Sequence, residues 1–127
     1  MSAGKFALSF AFLALMIPLL GSNALANKSA VSLQAPSTVQ RGSEVTIQVK
    51  VTHEGNSFLH YTEWVYVMAN GKEIARWQYT ASARPEGDAF TREVKTTATD
   101  NLEIKAEASC NLHGSAGPAT TVIMVKD

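Results

Sequence analysis

From Val45 to Val51 the chain alternates strictly, with Val45, Ile47, Val49 and Val51 apolar and Thr46, Gln48 and Lys50 polar between them. A period of two puts one set on a core face and the other in water, so this segment is a half-buried strand. Thr62 to Ala69 is apolar on both faces, Trp64, Tyr66 and Met68 opposing Val65 and Val67, which predicts a strand inside a sheet. Asn70-Gly71 follows, the pair best suited to a type I′ hairpin turn, and Glu73 to Tyr79 returns beside it. Ala81 to Asp88 holds Pro85 and Gly87 and reads as a loop. Phe90 to Thr97 and Leu102 to Ser109 are further strands, joined around Thr99-Asp100-Asn101. A turn from Gly114 to Pro118 precedes the last strand, Thr120 to Val125, and a short strand around Val31 to Gln34 comes before Pro36. About seven short strands without a convincing amphipathic helix predict an all-β sandwich.

The same parity carries chemistry. One more step of two beyond Val51 reaches His53, and one more step beyond Leu102, Ile104, Ala106 and Ala108 reaches Cys110. Both extend core-facing rows at the carboxyl-terminal ends of strands. If the two ends meet, they form a site at one rim of the sandwich, floored by apolar side chains.

Residues 1–26 read as a secretory signal peptide. Lys5 supplies the positive start, Phe6 to Leu20 the apolar run, and Ala24-Leu25-Ala26 a small-x-small cleavage site. Cleavage near Ala26 leaves residues 27–127 as one domain with one modest core, exported and expected in the periplasm. Lys+Arg and Asp+Glu balance at 11 each, and losing Lys5 shifts the net charge by one unit to −1. Charges of both signs are interspersed, which argues against nucleic acid or an anionic membrane as the main partner.

Export makes the cysteine informative. Cys110 is the 1 cysteine of the chain and cannot form an intrachain disulfide. It stands in Cys110-Asn111-Leu112-His113, a spacing that lets one tight turn aim a thiolate and an imidazole at the same metal ion. His53, His60 and His113 complete the histidine count of 3. Taken singly, Cys110 reads as a small core residue and each histidine as a rim group. Taken together they read as a metal-ligating set. Imidazole with thiolate suits iron, copper or zinc, and no clustered carboxylate set favours calcium or magnesium.

Three stretches are familiar: His60-Tyr61-Thr62-Glu63-Trp64, Asn70-Gly71-Lys72-Glu73 and Cys110-Asn111-Leu112-His113-Gly114. In order and separation they resemble the iron-binding domain of desulfoferrodoxin and neelaredoxin, the superoxide reductases. The resemblance spans about His53 to Gly114 and implies an immunoglobulin-like sandwich. It also implies a mononuclear non-haem iron held by equatorial histidines and an axial cysteine thiolate, with His53, His60, Cys110 and His113 as ligands. Implied partners are superoxide or another small oxidant and, given export, an electron-donor protein outside the cytosol or in the membrane. A homo-oligomer is compatible with these expectations.

The chain departs from that family pattern in three places. No histidine precedes His53, so the early Glu-Lys-His segment that supplies a fourth equatorial histidine and a lysine is missing. The interval from His53 to His60 is one residue longer than usual, with Glu54-Gly55-Asn56 in place of a proline-containing turn. An extra strand follows His113. The remaining ligand position then falls to water, Glu54, Asn56 or a partner's side chain. Two other functions compete: a cupredoxin-like copper electron carrier built on one early histidine and the Cys-x-x-His step, and a non-enzymatic sandwich module. Pro118 stands where a copper protein would place its axial methionine, and the stretch from His60 to Trp64 has no role there. Trp64 reads as a core aromatic or a shield for the metal, and Met124, within Val122 to Val125, as core.

Overall fold

The computed structural model describes residues 28–127, so the expected leader and its cleavage site lie outside the described residues. Eight strands follow one another: β1 (Ala30–Gln34), β2 (Thr38–Gln40), β3 (Glu44–Thr52), β4 (Thr62–Ala69), β5 (Lys72–Gln78), β6 (Ala89–Thr97), β7 (Leu102–Cys110) and β8 (Ala119–Lys126). They form a three-stranded sheet, β1-β3-β6, and a five-stranded sheet, β2-β8-β7-β4-β5. No helix occurs among the described residues. The all-β sandwich expected from periodicity is therefore the fold. The strand that periodicity misses is β2. With Val39 as its one apolar residue it is too short to show a period, and it exists through a parallel ladder to β8 that sets Val39 opposite Val125.

The core lies where the alternation puts it. Val45, Ile47, Val49 and Val51 of β3 are buried against Val65 and Val67 of β4, Ile104, Ala106 and Ala108 of β7 and Ile123 of β8. Asn70 and Gly71 have φ of 51° and 80°, the paired positive values of a type I′ turn. Trp64 and Met124 depart from expectation. Trp64 is only half-buried and stacks on Tyr66 at 5.5 Å, with Arg76 over both rings, so it is neither core nor part of the histidine cluster. Met124 is 49% exposed. Apolar character on both sides of a strand thus need not mean burial on both. The outer face of β4 is covered by its own ladder of aromatic and charged side chains.

The β5–β6 connection is held by Arg92. Its guanidinium donates to both Glu86 carboxylate oxygens, at 2.9 and 2.7 Å, and packs over the Phe90 and Tyr79 rings. This bidentate hydrogen bond, with a backbone contribution from Glu86 itself, lowers the Glu86 pKa to about 2. A carboxylate lowered in the folded state contributes stability above its unfolded pKa and loses it as pH falls through the folded value. The difference in stability between the native protein and Glu86→Gln is therefore expected to be constant above about pH 5 and to vanish by about pH 2. Because Glu86 is 60% exposed, that difference stays below about 1 kcal/mol. Thermal unfolding of both proteins across this range checks it.

Candidate metal centre

His53 follows β3 and is 1% exposed, as the last member of the core-facing row. Its backbone N–H donates to Asp88 O at 2.7 Å, which ties the end of β3 to the β5–β6 connection. The turn behind it closes on the same residue, with Gly55 N–H and Asn56 N–H donating to the Asp88 carboxylate. Gly55 carries φ +79°, a left-handed conformation that glycine adopts without strain. His60 arrives on the loop before β4. Its Nδ1 lies 3.2 Å from Gly55 O. A carbonyl only accepts, so this nitrogen carries the proton and Nε2 of the neutral ring keeps its lone pair.

Cys110 ends β7 and is 3% exposed. Across the ladder it pairs with Thr62 of β4, whose hydroxyl bonds the buried Ser29 hydroxyl at 2.8 Å. The turn after Cys110 is closed by Cys110 N–H to Gly114 O at 2.9 Å and Gly114 N–H to Cys110 O at 3.1 Å. Gly114 serves here through φ +78°; a Cβ would meet nothing within 4 Å, so backbone conformation and not space calls for glycine. The turn aims Leu112 N–H and His113 N–H at Sγ, at 3.4 and 3.5 Å. Two such donors stabilise negative charge on sulfur and lower its electron-donating power. Asn111 joins this turn to the His60 loop. Its Oδ1 accepts Tyr61 N–H at 3.0 Å and its Nδ2 donates to Leu59 O at 3.2 Å.

The two rims thus meet. His53, His60 and Cys110 place one potential ligand atom each within 4.8 Å of one another. His60 Nε2 lies 3.1 Å from His53 Nε2 and 2.9 Å from His113 Nδ1, and Cys110 Sγ lies 3.9 Å from His113 Nδ1. His113 is exposed and His60 half-buried, so the cluster opens to solvent on that side. Phe58, Leu59 and Leu112 also stay exposed on the same two loops.

The donor set fits a metal ion. Imidazole bonds of about 2.0–2.1 Å at right angles put neighbouring nitrogens about 3.0 Å apart, against about 3.4 Å in a tetrahedron. The edges of 3.1 and 2.9 Å on either side of His60 each suit a pair of bound imidazoles, but His113 lies outside the mutually close set of His53, His60 and Cys110 and must shift to join it. The thiol sits further back. Closing 3.9 Å to a bonded edge takes a shift of about an ångström. The stronger evidence is the lone pairs. With Nδ1 of both His53 and His60 committed to oxygen acceptors, their Nε2 lone pairs face one another at 3.1 Å. An electrophile between them turns that repulsion into attraction.

Of the residues considered as a further ligand, Asn56 is engaged elsewhere, its Oδ1 accepting from His53 Nδ1 and Thr62 N–H. Glu54 is exposed and lies outside the mutually close set. Side-chain parity located His53 and Cys110, the Cys-x-x-His spacing located His113, and the resemblance gave His60 its place among the ligands. The supporting asparagines, Asn56 and Asn111, escaped notice as ligand supports because most of their partners are backbone groups of other segments.

Residues 23–115 match the family described as Desulfoferrodoxin. Among solved structures, the superoxide reductase (neelaredoxin) from Ignicoccus hospitalis is similar with a TM-score of 0.63 at 19% identity, over 78% of this chain and 82% of that one. A proposed superoxide reductase from Thermotoga maritima gives 0.58 at 20% identity, over 77% and 86%. The CARDB domain of a Pyrococcus furiosus protein, solved with di-metal ions, gives 0.60 at 18% identity, over 77% and 87%. At these identities the structural likeness speaks for the sandwich fold alone. No curated protein matches the chain in sequence.

Proposed function

The chain belongs to the desulfoferrodoxin family, and from that premise we propose that it is an exported iron protein that reduces superoxide to hydrogen peroxide. The observation that carries this reading is the meeting of His53, His60 and the buried Cys110 within 4.8 Å, with His113 Nδ1 2.9 Å from His60 Nε2. The three imidazoles and Cys110 Sγ would hold the ion, with Leu112 N–H and His113 N–H moderating the charge on sulfur. Bound there, iron supplies a one-electron couple and a local positive charge that attracts a small anion. The conversion takes one superoxide, one electron and two protons to one hydrogen peroxide.

The protein's part is to hold the donors in place and to keep one side open. Buried His53 and Cys110 fix the inner edge, while exposed His113 marks the side from which the oxidant and solvent protons arrive. Phe58, Leu59 and Leu112 are exposed on the two loops that carry His60 and His113. They give an electron-donor protein, itself exported or membrane-bound, an uncharged surface to approach. Cleavage near Ala26 would release the domain into the periplasm. A copper electron carrier built on His53, Cys110 and His113 would leave His60 without work, although it touches both other imidazoles.

Enzymatically generated superoxide supplied to the reduced, iron-loaded mature protein tests the reading. About one peroxide per superoxide consumed, with no oxygen released, is expected, because reduction differs from disproportionation in that ratio. Oxygen release, or metal-free protein with a freely alkylated Cys110 after loading, overturns it.

A further inference from the structure

Asn56 makes side-chain contacts with three separate parts of the fold. Its Oδ1 lies 2.5 Å from His53 Nδ1 and accepts Thr62 N–H at 3.0 Å, and its Nδ2 donates to Gly87 O at 2.7 Å. These bonds leave one orientation of the amide. Nitrogen faces a carbonyl, which only accepts, and oxygen faces a backbone N–H, which only donates. Oδ1 can therefore only accept from His53, and Nδ1 of that ring must carry the proton.

The competing state is visible in the same geometry. If the His53 proton moved to Nε2, it would point at His60 Nε2, 3.1 Å away. The two imidazoles would then hydrogen-bond each other. Both nitrogens would be occupied, and neither would be free to ligate. Opposing this state requires an acceptor on the far side of His53 that cannot itself donate, and Asn56 Oδ1 is that acceptor.

We infer that Asn56 is a positioning residue that holds His53 with its proton on Nδ1 and its Nε2 lone pair toward His60, preventing the two imidazoles from pairing with each other. The consequence for metal affinity rests on the metal reading above. The proton position does not.

Nitrogen NMR of the metal-free, 15N-labelled mature protein at about pH 9, above the range of an ordinary imidazole, reads which His53 nitrogen carries hydrogen. The Nδ1–H form is expected to dominate, and Asn56→Ala to lower its ratio to the Nε2–H form by at least about tenfold. Titration with Fe(II) and with Co(II) is expected to show affinity falling by about 10–100-fold, the range for lost outer partners of a ligand. Asn56→Asp keeps both acceptor contacts and replaces the donation to Gly87 O by an acceptor facing an acceptor. It is expected to retain the Nδ1–H form and an affinity no more than about threefold below the native one. Asn56→Ala with unchanged ratio and affinity overturns the inference. So does Asn56→Asp losing both, since only the Gly87 contact would then matter. If the alanine variant does not fold, the aspartate result decides alone. Native protein that binds neither metal removes the metal reading, and the NMR ratio still judges Asn56.

Discussion

Cys110→Ser is expected to abolish the thiolate-to-iron charge-transfer absorption of the oxidised, iron-loaded protein. The band requires a filled sulfur orbital in bonding contact with the metal, and a thiolate donates electron density to iron as no serine hydroxyl does. In the fold the exchange is nearly isosteric. Cys110 is 3% exposed, and Leu112 N–H and His113 N–H already point at the sulfur position, so the serine oxygen inherits two donors. The cost to stability is therefore about 1 kcal/mol, the scale of one imperfectly satisfied buried polar group. The three imidazole nitrogens remain, so metal still binds, more weakly and without colour. Absorption spectroscopy with metal analysis on the same sample separates these effects. Undiminished colour would place the chromophore elsewhere and remove the ligand role proposed for sulfur. An intense band that appears only with copper would favour the copper carrier instead.

That experiment turns on a residue whose position was legible from parity alone. Val45 to Val51 and Leu102 to Ala108 alternate cleanly, and a pleated strand continues its alternation as long as its ladder lasts. His53 and Cys110 therefore inherit burial from the rows they extend, at 1% and 3% exposure. Asn70-Gly71 was legible for a local reason too, since both residues must take positive φ. What no local pattern contains is the meeting of the two rows. It depends on β4 lying beside β7 with Thr62 opposite Cys110, and on Asn111 bonding both Tyr61 and Leu59 across the gap. Strand β2 was hidden for the same reason, as its existence depends on β8. Trp64 and Met124 mark the converse error. Apolar character alone does not mean burial, since the Trp64–Tyr66 stack topped by Arg76 is itself what covers the outer face of β4. His60 and His113 lie in irregular loops, where side-chain direction has no period. The Cys-x-x-His spacing points to His113 and the resemblance to His60, and their contact comes from the fold.

His60→Ala is expected to lower Fe(II) affinity by at least about 100-fold, beyond the usual effect of losing a residue that only supports a ligand. The reason is its central place. His60 Nε2 is the nitrogen nearest to both other imidazoles, 3.1 Å from His53 Nε2 and 2.9 Å from His113 Nδ1. Removing it dissolves both contacts at once, and leaves His113 beside the thiol but outside the set of mutually close donors. The metal-free fold loses little, because His60 is half-buried and its one backbone acceptor, Gly55 O, can turn to water. Metal-linked stability therefore isolates the effect. A ligand that binds only the folded state stabilises it in proportion to the logarithm of its concentration over Kd, so a hundredfold loss of affinity removes about 2.7 kcal/mol. For a domain of this size that shrinks the metal-induced rise in Tm by roughly 10–20 °C. Thermal scans of both proteins with and without Fe(II), under anaerobic conditions, read it directly. An equal rise in Tm in the two proteins would mean that the ion binds away from His60, and the four-residue centre would fall with it.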